Sequence, residues 1–317
     1  MMSGRWIDEV LKLLFLNYFK AIFSHLPRKV LYFVAGISAM ITYSLNNSKR
    51  QIMREEAKKL LDNTISEKKL NYIIRRSIWN LRKDMFEAWM IPACKKEDFK
   101  KMYSLVGKEH IDAALAEGKG LLIVQTHFGF RKLILLALGC EGYTINQLAV
   151  KPTSWKTNAK GTESHNKVMD AEVEFEKALP AKFIYVEDSL RSVFTALKNN
   201  EIVVIALDGL VGSKRHNVKF LNRTANFSPT PVSLSVKTGA VVLPAFVVRK
   251  YDNHHEIIIE KPLMLDSAHG YEHVVQQFLE HYCKILEQYV LKFPCHYVDW
   301  FYRSRIWPVG DSLHIFQ

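Results

Sequence analysis

Short apolar runs alternate with amphipathic stretches along residues 107–317. The apolar runs are GLLIVQT, YTINQLAV, FIYV, EIVVIAL, VVLPAFVVRK and HEIIIEK. Short continuous runs of this kind are typical of parallel strands that helices cover on both faces. The stretches between them predict helices, because their apolar positions repeat at three and four residues. This order predicts an α/β fold with a mostly parallel central sheet flanked by helices.

Glycine and proline mark several boundaries in this part of the chain. RKLILLALG is predicted as a helix that ends at Gly139, and a later helix is predicted to begin at Thr230-Pro231 and to end at Gly239. The segment DGLVGSKRHNVKFLNRTANFSP, which precedes that later helix, is predicted to be a long loop. Long loops in compact domains are usually functional.

Residues 1–106 show a different pattern, in which apolar and basic stretches alternate. WIDEVLKLLFLNYFKAIFSHL places its polar residues near one helical stripe, which is typical of a helix lying in a membrane interface. VLYFVAGISAMITYSL has sixteen residues without a charge, whereas a spanning helix needs about 20. It therefore predicts either a buried core helix or a membrane-inserted one. We divide the chain into a helical, membrane-associated region, 1–106, and an α/β domain, 107–317.

The positive charge is concentrated in the N-terminal third. The net charge is +12, and residues 1–108 hold 21 Lys and Arg against 10 Asp and Glu, whereas the remainder holds 23 against 22. A basic segment attracts nucleic acid or anionic lipid headgroups. Because the basic residues flank apolar aromatic stretches and no nucleic-acid module is recognisable, we expect anionic membrane lipids as partners and no nucleic acid.

Two classes of chemistry are disfavoured by the sequence. The cysteines lie far apart and lack the spacing of zinc ligands, so we expect no metal site and no disulfide scaffold; they are Cys94, Cys140, Cys283 and Cys295. The chain has no GxSxG sequence, which argues against a serine hydrolase.

Candidate site residues follow the predicted strands, because the ligand site of a parallel sheet lies beyond the carboxyl ends of its strands. The polar residues at these ends are Thr126, His127, Lys151, Glu187, Asp188 and Asp208. His127 follows GLLIVQT and precedes the predicted helix RKLILLALG, whose dipole would lower the pKa of the imidazole and favour a neutral general base. Gly129 allows a substrate to approach the backbone closely.

Five collinear segments resemble the lipid A biosynthesis (lauroyl/myristoyl) acyltransferase family, within the wider lysophospholipid acyltransferase superfamily. They are LPRKVLYFVAGISAMITYSL with Arg54, GKGLLIVQTHFG, VVIALDG, FSPTPVSLSVKTGAVVLPAFVVR, and FPCHYVDWFYRSR with its Pro294, Tyr297, Trp300 and Arg303. The resemblance extends over nearly the whole chain and implies a glycerolipid acyltransferase-like fold.

The resemblance also implies a reaction. A fatty acyl chain would pass from an acyl carrier protein or coenzyme A thioester to a lipid hydroxyl, with these thioesters as co-substrates and no cofactor. His127 would take the position of the family histidine, which deprotonates the acceptor hydroxyl. The implied location is the cytoplasmic face of a bacterial inner membrane.

Lys132 departs from the family pattern. The family histidine is followed five residues later by an acid that orients the imidazole, and Lys132 stands at that place. A protonated lysine cannot accept the imidazole Nδ1–H. Three explanations stay open: another carboxylate, with Asp208 the best candidate, serves His127; Lys132 binds an anionic group of a different substrate; or catalysis is lost and a lipid-binding role is kept.

The remaining candidates are basic or lie at turns. We predict that substrate is bound by Gly129, Arg131, Lys151, Lys214 and Arg215, with His216 as a further loop residue that could approach a phosphate. Lys151 stands where the family tends to carry an arginine before proline. The pair His165 and Asp170 has the family spacing, but it lies inside a predicted helix and we interpret it as coincidence.

The sequence therefore predicts a membrane-associated O-acyltransferase that acts on a lipid A-like or lysophospholipid hydroxyl, with His127, Asp208 and Lys132 as candidate catalytic residues. The alternative is a catalytically impaired homologue with a lipid-binding role.

Overall fold

The computed structural model describes residues 26–61, 65–151, 163–209, 214–265, 270–306 and 315–317. The interfacial helix predicted for residues 6–26 lies outside these residues, apart from Leu26.

The described helices are α1 (Arg28–Leu45), α2 (Asn47–Leu61), α3 (Glu67–Met90), α4 (Lys96–Lys100), α5 (Lys108–Ala116), α6 (Leu133–Cys140), α7 (Glu163–Ala178), α8 (Arg191–Lys198), α9 (Thr230–Thr238), α10 (Tyr271–Lys292) and α11 (Val298–Ile306). The described strands are β1 (Tyr103–Val106), β2 (Leu121–Gln125), β3 (Ile145–Ala149), β4 (Lys182–Tyr185), β5 (Ile202–Ala206), β6 (His216–Phe220), β7 (Arg223–Phe227), β8 (Val241–Arg249) and β9 (His255–Ile259).

A seven-stranded sheet has the order β1-β9-β8-β2-β5-β3-β4. Its pairs are parallel except for β8 with β9, so the predicted α/β fold with a mostly parallel central sheet is confirmed. The two central strands, β2 and β5, have the sequences LLIVQ and IVVIA and are buried almost throughout. Branched apolar side chains on both faces explain why neither run alternates with polar residues.

The prediction of a long loop after β5 is wrong over part of that segment. Residues 216–227 form an antiparallel hairpin, β6 with β7, in which Val218 pairs with Ala225. Val218 and Phe220 are the buried residues of β6 and alternate with exposed ones, whereas β7 buries three consecutive residues, Ala225, Asn226 and Phe227. The hairpin therefore buries one face of β6 and the end of β7. The turn places Leu221 at a φ of 53° and lacks the Asn-Gly or Asp-Gly pair that marks most such turns.

Two helix boundaries can be compared with their predictions. Helix α9 begins at Thr230, has proline in its first turn, and ends before Gly239, which has a φ of 76°; this confirms the predicted limits. Helix α6 begins at Leu133, two residues later than predicted, and includes Gly139 instead of ending there.

The chain forms two compact units. One takes in the described parts of Met1–Lys95, Lys151–Leu179 and Pro294–Pro308; the other takes in those of Lys96–Val150, Pro180–Phe293 and Val309–Gln317. The predicted division between residues 106 and 107 is linear, whereas each of these units combines separated segments.

The first unit is helical and contains α1, α2, α3, α7 and α11. Its apolar core includes Met53, Ile73, Ile74 and Val298. Asp299 pairs with Lys49 at 2.7 Å between Oδ1 and Nζ, and with Arg303 at 2.5 Å between Oδ2 and Nε. Burial opposes the ionisation of Asp299, but these two cations outweigh it and hold the pKa of the carboxyl well below its ordinary value. The pair of Asp299 with Lys49 therefore joins α11 to α2, and the pair with Arg303 lies within α11.

Helix α1 has one buried face and a second face that is apolar but exposed. Leu31, Ala35 and Ala39 are buried, whereas large apolar side chains three and four residues apart are exposed: Val30, Phe33, Ile37 and Met40. Phe33 and Met40 expose 69% and 59% of their surface. Within the described part of the chain, no helix combines the length and the apolar character needed to cross a membrane.

Candidate active site

His127 lies in a turn at the carboxyl end of β2. The strand ends at Gln125, and the chain turns through residues 126–132 before α6 begins at Leu133. Gly129 has a φ of 64° within this turn, a conformation that a residue with a Cβ adopts only with strain. Five residues separate His127 from the first residue of α6, and the effect of the helix dipole on this imidazole stays a prediction.

Asp208 lies at the matching position after the neighbouring strand. Strands β2 and β5 are parallel, and Gln125 is in register with Ala206. His127 and Asp208 each stand two residues beyond this pair, so the sheet brings them together although 81 residues separate them in sequence. They meet because parallel strands present their carboxyl ends at the same edge of the sheet.

The Asp208 carboxylate holds His127 at two points. Oδ1 lies 2.8 Å from the imidazole Nδ1, and the backbone N–H of His127 lies 2.9 Å from Oδ2 and 3.1 Å from Oδ1. Asp208 is completely buried, whereas 22% of the His127 side chain is exposed. The carboxylate is therefore shielded from water and the imidazole is open to a ligand.

This arrangement fixes the tautomer of a neutral imidazole. A carboxylate accepts hydrogen bonds, so Nδ1 carries the hydrogen that it donates to Asp208. The lone pair is then on Nε2. An imidazole oriented in this way can take a proton at Nε2, and the buried carboxylate stabilises the imidazolium that results.

Buried aromatic side chains pack against the turn that carries His127. Phe128 is buried, and its ring makes edge contacts with Phe246 at 5.8 Å and with Tyr289 at 5.9 Å between centroids. Phe246 and Tyr289 stack at 4.1 Å. Burial, with a contribution from the charge of Asp208, raises the pKa of the nearby Tyr282 hydroxyl well above its ordinary value. The turn that carries His127 is therefore packed on buried aromatic side chains.

Lys132, the departure from the expected acid, is buried and exposes 8% of its surface. It is the residue directly before the first turn of α6. The carboxylate beside His127 belongs instead to Asp208, two residues after β5, as the first of the three explanations for Lys132 requires. Arg131, which precedes it, is partly exposed.

Arg215 also belongs to this neighbourhood, at the start of the hairpin. Its Nη2 donates to the carbonyl oxygen of Gly209 at 2.6 Å, and its Nη1 donates to that of Asn226 at 3.0 Å. Burial lowers the pKa of its guanidinium, and the charge of Asp208 opposes that change. Lys214 is exposed, and the Nδ1 of His216 lies 3.5 Å from Glu272 Oε2.

Three other predicted positions, Lys151, His165 and Asp170, belong to the helical unit, whereas His127 and Asp208 belong to the other unit. Lys151 is partly exposed. His165 and Asp170 lie on α7, as predicted for a coincidental pair, and Asp170 is exposed; the side chain of His165 is outside the described part of the structure.

Sequence reasoning missed three residues that shape the site, namely Phe128, Asn226 and Gln147. Phe128 stands inside the His-x-Gly sequence, where its apolar character was a usable signal. Asn226 would have required recognition of the alternation in HNVKF and RTANF. Gln147 lies on β3, and its Oε1 is 3.5 Å from Gln125 Nε2; two buried amides in apolar runs gave no local signal.

Residues 5–304 match the sequence profile of one protein family, which is described as bacterial lipid A biosynthesis acyltransferase. No curated protein matches the chain.

Proposed function

Because the chain belongs to the bacterial lipid A biosynthesis acyltransferase family, we propose that it moves a fatty acyl chain from an acyl carrier protein or coenzyme A thioester to a hydroxyl of a lipid A-like or lysophospholipid acceptor. His127 acts as the general base. The observation that carries the proposal is the 2.8 Å contact between His127 Nδ1 and the buried Asp208 carboxylate.

The reaction balances with these two residues. Nε2 of His127 removes the proton from the acceptor hydroxyl, and the hydroxyl oxygen attacks the thioester carbonyl carbon. A C–O bond forms and the C–S bond breaks, so the products are an ester and a thiol. The thiol takes the proton that His127 gained, which returns the imidazole to its neutral state. Asp208 stabilises the imidazolium between these steps.

The first test is an exchange of His127. The variant His127→Ala should lose nearly all acyl transfer, measured by mass spectrometry of the acylated lipid with purified protein in detergent. His281→Ala is the matched control, since His281 is exposed on α10, and it should keep wild-type turnover. Full activity of His127→Ala would refute the role given to this histidine.

We further propose that the exposed apolar face of α1 binds the surface of an anionic membrane, on the cytoplasmic side of a bacterial inner membrane. Exposed apolar patches of this kind mark interaction surfaces, and the basic residues Arg28 and Lys29 adjoin it in sequence. Aromatic and aliphatic side chains beside basic ones suit the headgroup boundary.

Sedimentation with anionic vesicles tests this surface. The double variant Phe33→Ser, Met40→Ser should bind vesicles less than the wild-type protein does. The control is Tyr251→Ser, Met264→Ser, which removes two large side chains from the other unit that are more exposed than Phe33 and Met40. Equal binding by both double variants would show that α1 is not the contact, and retention on DNA at physiological salt would favour nucleic acid instead.

The second candidate function is that of a catalytically impaired, lipid-binding homologue, and it rests on Lys132. The test starts from the turnover of the wild-type protein, which the impaired homologue should lack. In that case the exchange Lys132→Glu should change little if the rest of the site has decayed, whereas restored turnover would show that the site is otherwise intact.

A further inference from the structure

The guanidinium of Arg215 joins two backbone segments next to the His127–Asp208 pair. One of its acceptors is the carbonyl of Gly209, the residue directly after Asp208. The other is the carbonyl of Asn226 on β7. Nε of Arg215 is buried and makes no hydrogen bond within the described part of the chain. The guanidinium is therefore directed at these two carbonyls.

The second acceptor, the carbonyl of Asn226, belongs to a well-ordered part of the hairpin. Asn226 is buried and is in register with Asn217 across the hairpin. Its backbone N–H donates to the carbonyl of Ile315 at 2.7 Å. Arg215 thus ties the backbone beside Asp208 to a hydrogen-bonded hairpin, at distances of 2.6 and 3.0 Å.

The shape of the guanidinium matters for this tie. Its planar fork presents two nitrogens in a rigid geometry, so one side chain can bond two carbonyls whose separation is fixed. A lysine carries the same charge but is a flexible point donor. The exchange Arg215→Lys therefore separates the geometry of the side chain from its charge.

We propose that Arg215 is a positioning residue, which holds Asp208 against His127 by bracing the Gly209 carbonyl on the β6–β7 hairpin. The effect of this role on catalysis rests on the proposed function, whereas the positioning of Asp208 by Arg215 does not. This assignment differs from the substrate-binding role that the sequence suggested for Arg215.

The test compares full-length Arg215→Lys and Arg215→Met with Lys219→Met, which removes an exposed charge from the same hairpin. We expect Arg215→Lys to lower kcat about tenfold or more, because small displacements of catalytic groups are costly, with KM changed less than about twofold. Arg215→Met should lower kcat at least as much. Lys219→Met should resemble the wild-type protein.

The second readout is the pKa of His127, measured by NMR titration of labelled histidine in the absence of substrate and assigned with His127→Gln. A carboxylate that moves away stabilises the imidazolium less, so the pKa of His127 should fall in Arg215→Lys. Wild-type kcat and an unchanged His127 pKa in this variant would overturn the brace. A raised KM with unchanged kcat would assign Arg215 to substrate binding instead. If the wild-type protein transfers no acyl chain, the proposed function fails, and the titration alone decides the brace.

Discussion

The exchange Asp208→Asn tests the orientation of His127 most directly. The carboxylate accepts from two donors of His127, the backbone N–H and Nδ1–H. An asparagine has one oxygen and one NH₂ group, so it cannot accept both hydrogen bonds at the two oxygen positions. If the oxygen takes the Oδ1 position, it keeps both of that atom's contacts, to Nδ1 and to the backbone N–H. The NH₂ group then takes the Oδ2 position and faces the same backbone N–H, donor against donor, and a donor left without an acceptor costs about 1–3 kcal/mol.

The opposite orientation of the asparagine avoids that cost. Its oxygen accepts the backbone N–H, and its NH₂ group donates to Nδ1. The imidazole then carries its hydrogen on Nε2, where the lone pair is needed. The fold is kept, because both groups of His127 have partners. The loss of a charged acceptor lowers the free energy of unfolding by about 1–2 kcal/mol.

The expected loss of activity is far larger than the loss of stability. In the serine-protease triad, the same exchange fixes the wrong tautomer and lowers kcat about 10⁴-fold, which corresponds to about 5.5 kcal/mol in the activation free energy. We expect a decrease of about 10²–10⁴-fold here. The assay is acyl transfer from acyl-ACP or acyl-CoA to a glycolipid acceptor, with thermal unfolding as the measure of folding.

A double-variant cycle sharpens this prediction. If His127 and Asp208 act as one unit, Asp208→Asn combined with His127→Gln should be no less active than His127→Gln alone. A folded Asp208→Asn protein that keeps more than about a tenth of wild-type kcat would refute the assignment of Asp208. Additive losses in the cycle would refute the coupling.

Three further predictions concern other residues, two beside His127 and one in the helical unit. Lys132→Glu should not raise kcat, because the single Nδ1–H already donates to Asp208, and a clear gain in turnover would contradict this. Phe128→Ala should lower the free energy of unfolding by about 3–5 kcal/mol, as expected for a buried aromatic ring. Denaturant unfolding measures this loss, and Phe128→Leu, which should lose less, is the comparison. Asp299→Asn should lower the free energy of unfolding by up to about 3–5 kcal/mol, the range for breaking a buried ion pair, since Lys49 is 11% exposed and loses its carboxylate partner. The stability of this variant should also lose the part of the acid dependence that Asp299 supplies. The folded pKa of Asp299 is depressed, so the stabilisation by this carboxyl is present above the unfolded pKa of about 3.9 and disappears as the pH falls below it.

The central sheet and the candidate pair could be predicted because both depend on local patterns. GLLIVQT and EIVVIAL read as buried strands without any tertiary information, and His127 and Asp208 follow them directly. The carboxyl ends of parallel strands lie at one edge, which made Asp208 the leading substitute for the missing acid. Adjacency of β2 and β5 was not predictable, since strand order depends on long-range packing.

The hairpin and the brace were not predictable for a different physical reason. HNVKF and RTANF are short and half polar, and the Leu221-Asn222 turn lacks the usual hairpin sequence. The contacts of Arg215 are to backbone carbonyls, which any sequence provides. Its charge was visible in the sequence, but its partners were not.

The 81-residue separation of His127 from Asp208 has a consequence for how activity arises during folding. An acid at position 132 would meet the histidine within one local turn. Closing the longer segment costs about 2.5 kcal/mol more in chain entropy, from the logarithmic dependence on loop length, and it requires β2 and β5 to pair. A nascent chain that ends before residue 208 contains the histidine without its carboxylate. If His127 and Asp208 act as proposed, turnover arises only after the sheet has assembled, so the recovery of turnover after dilution from denaturant would report the pairing of these two strands.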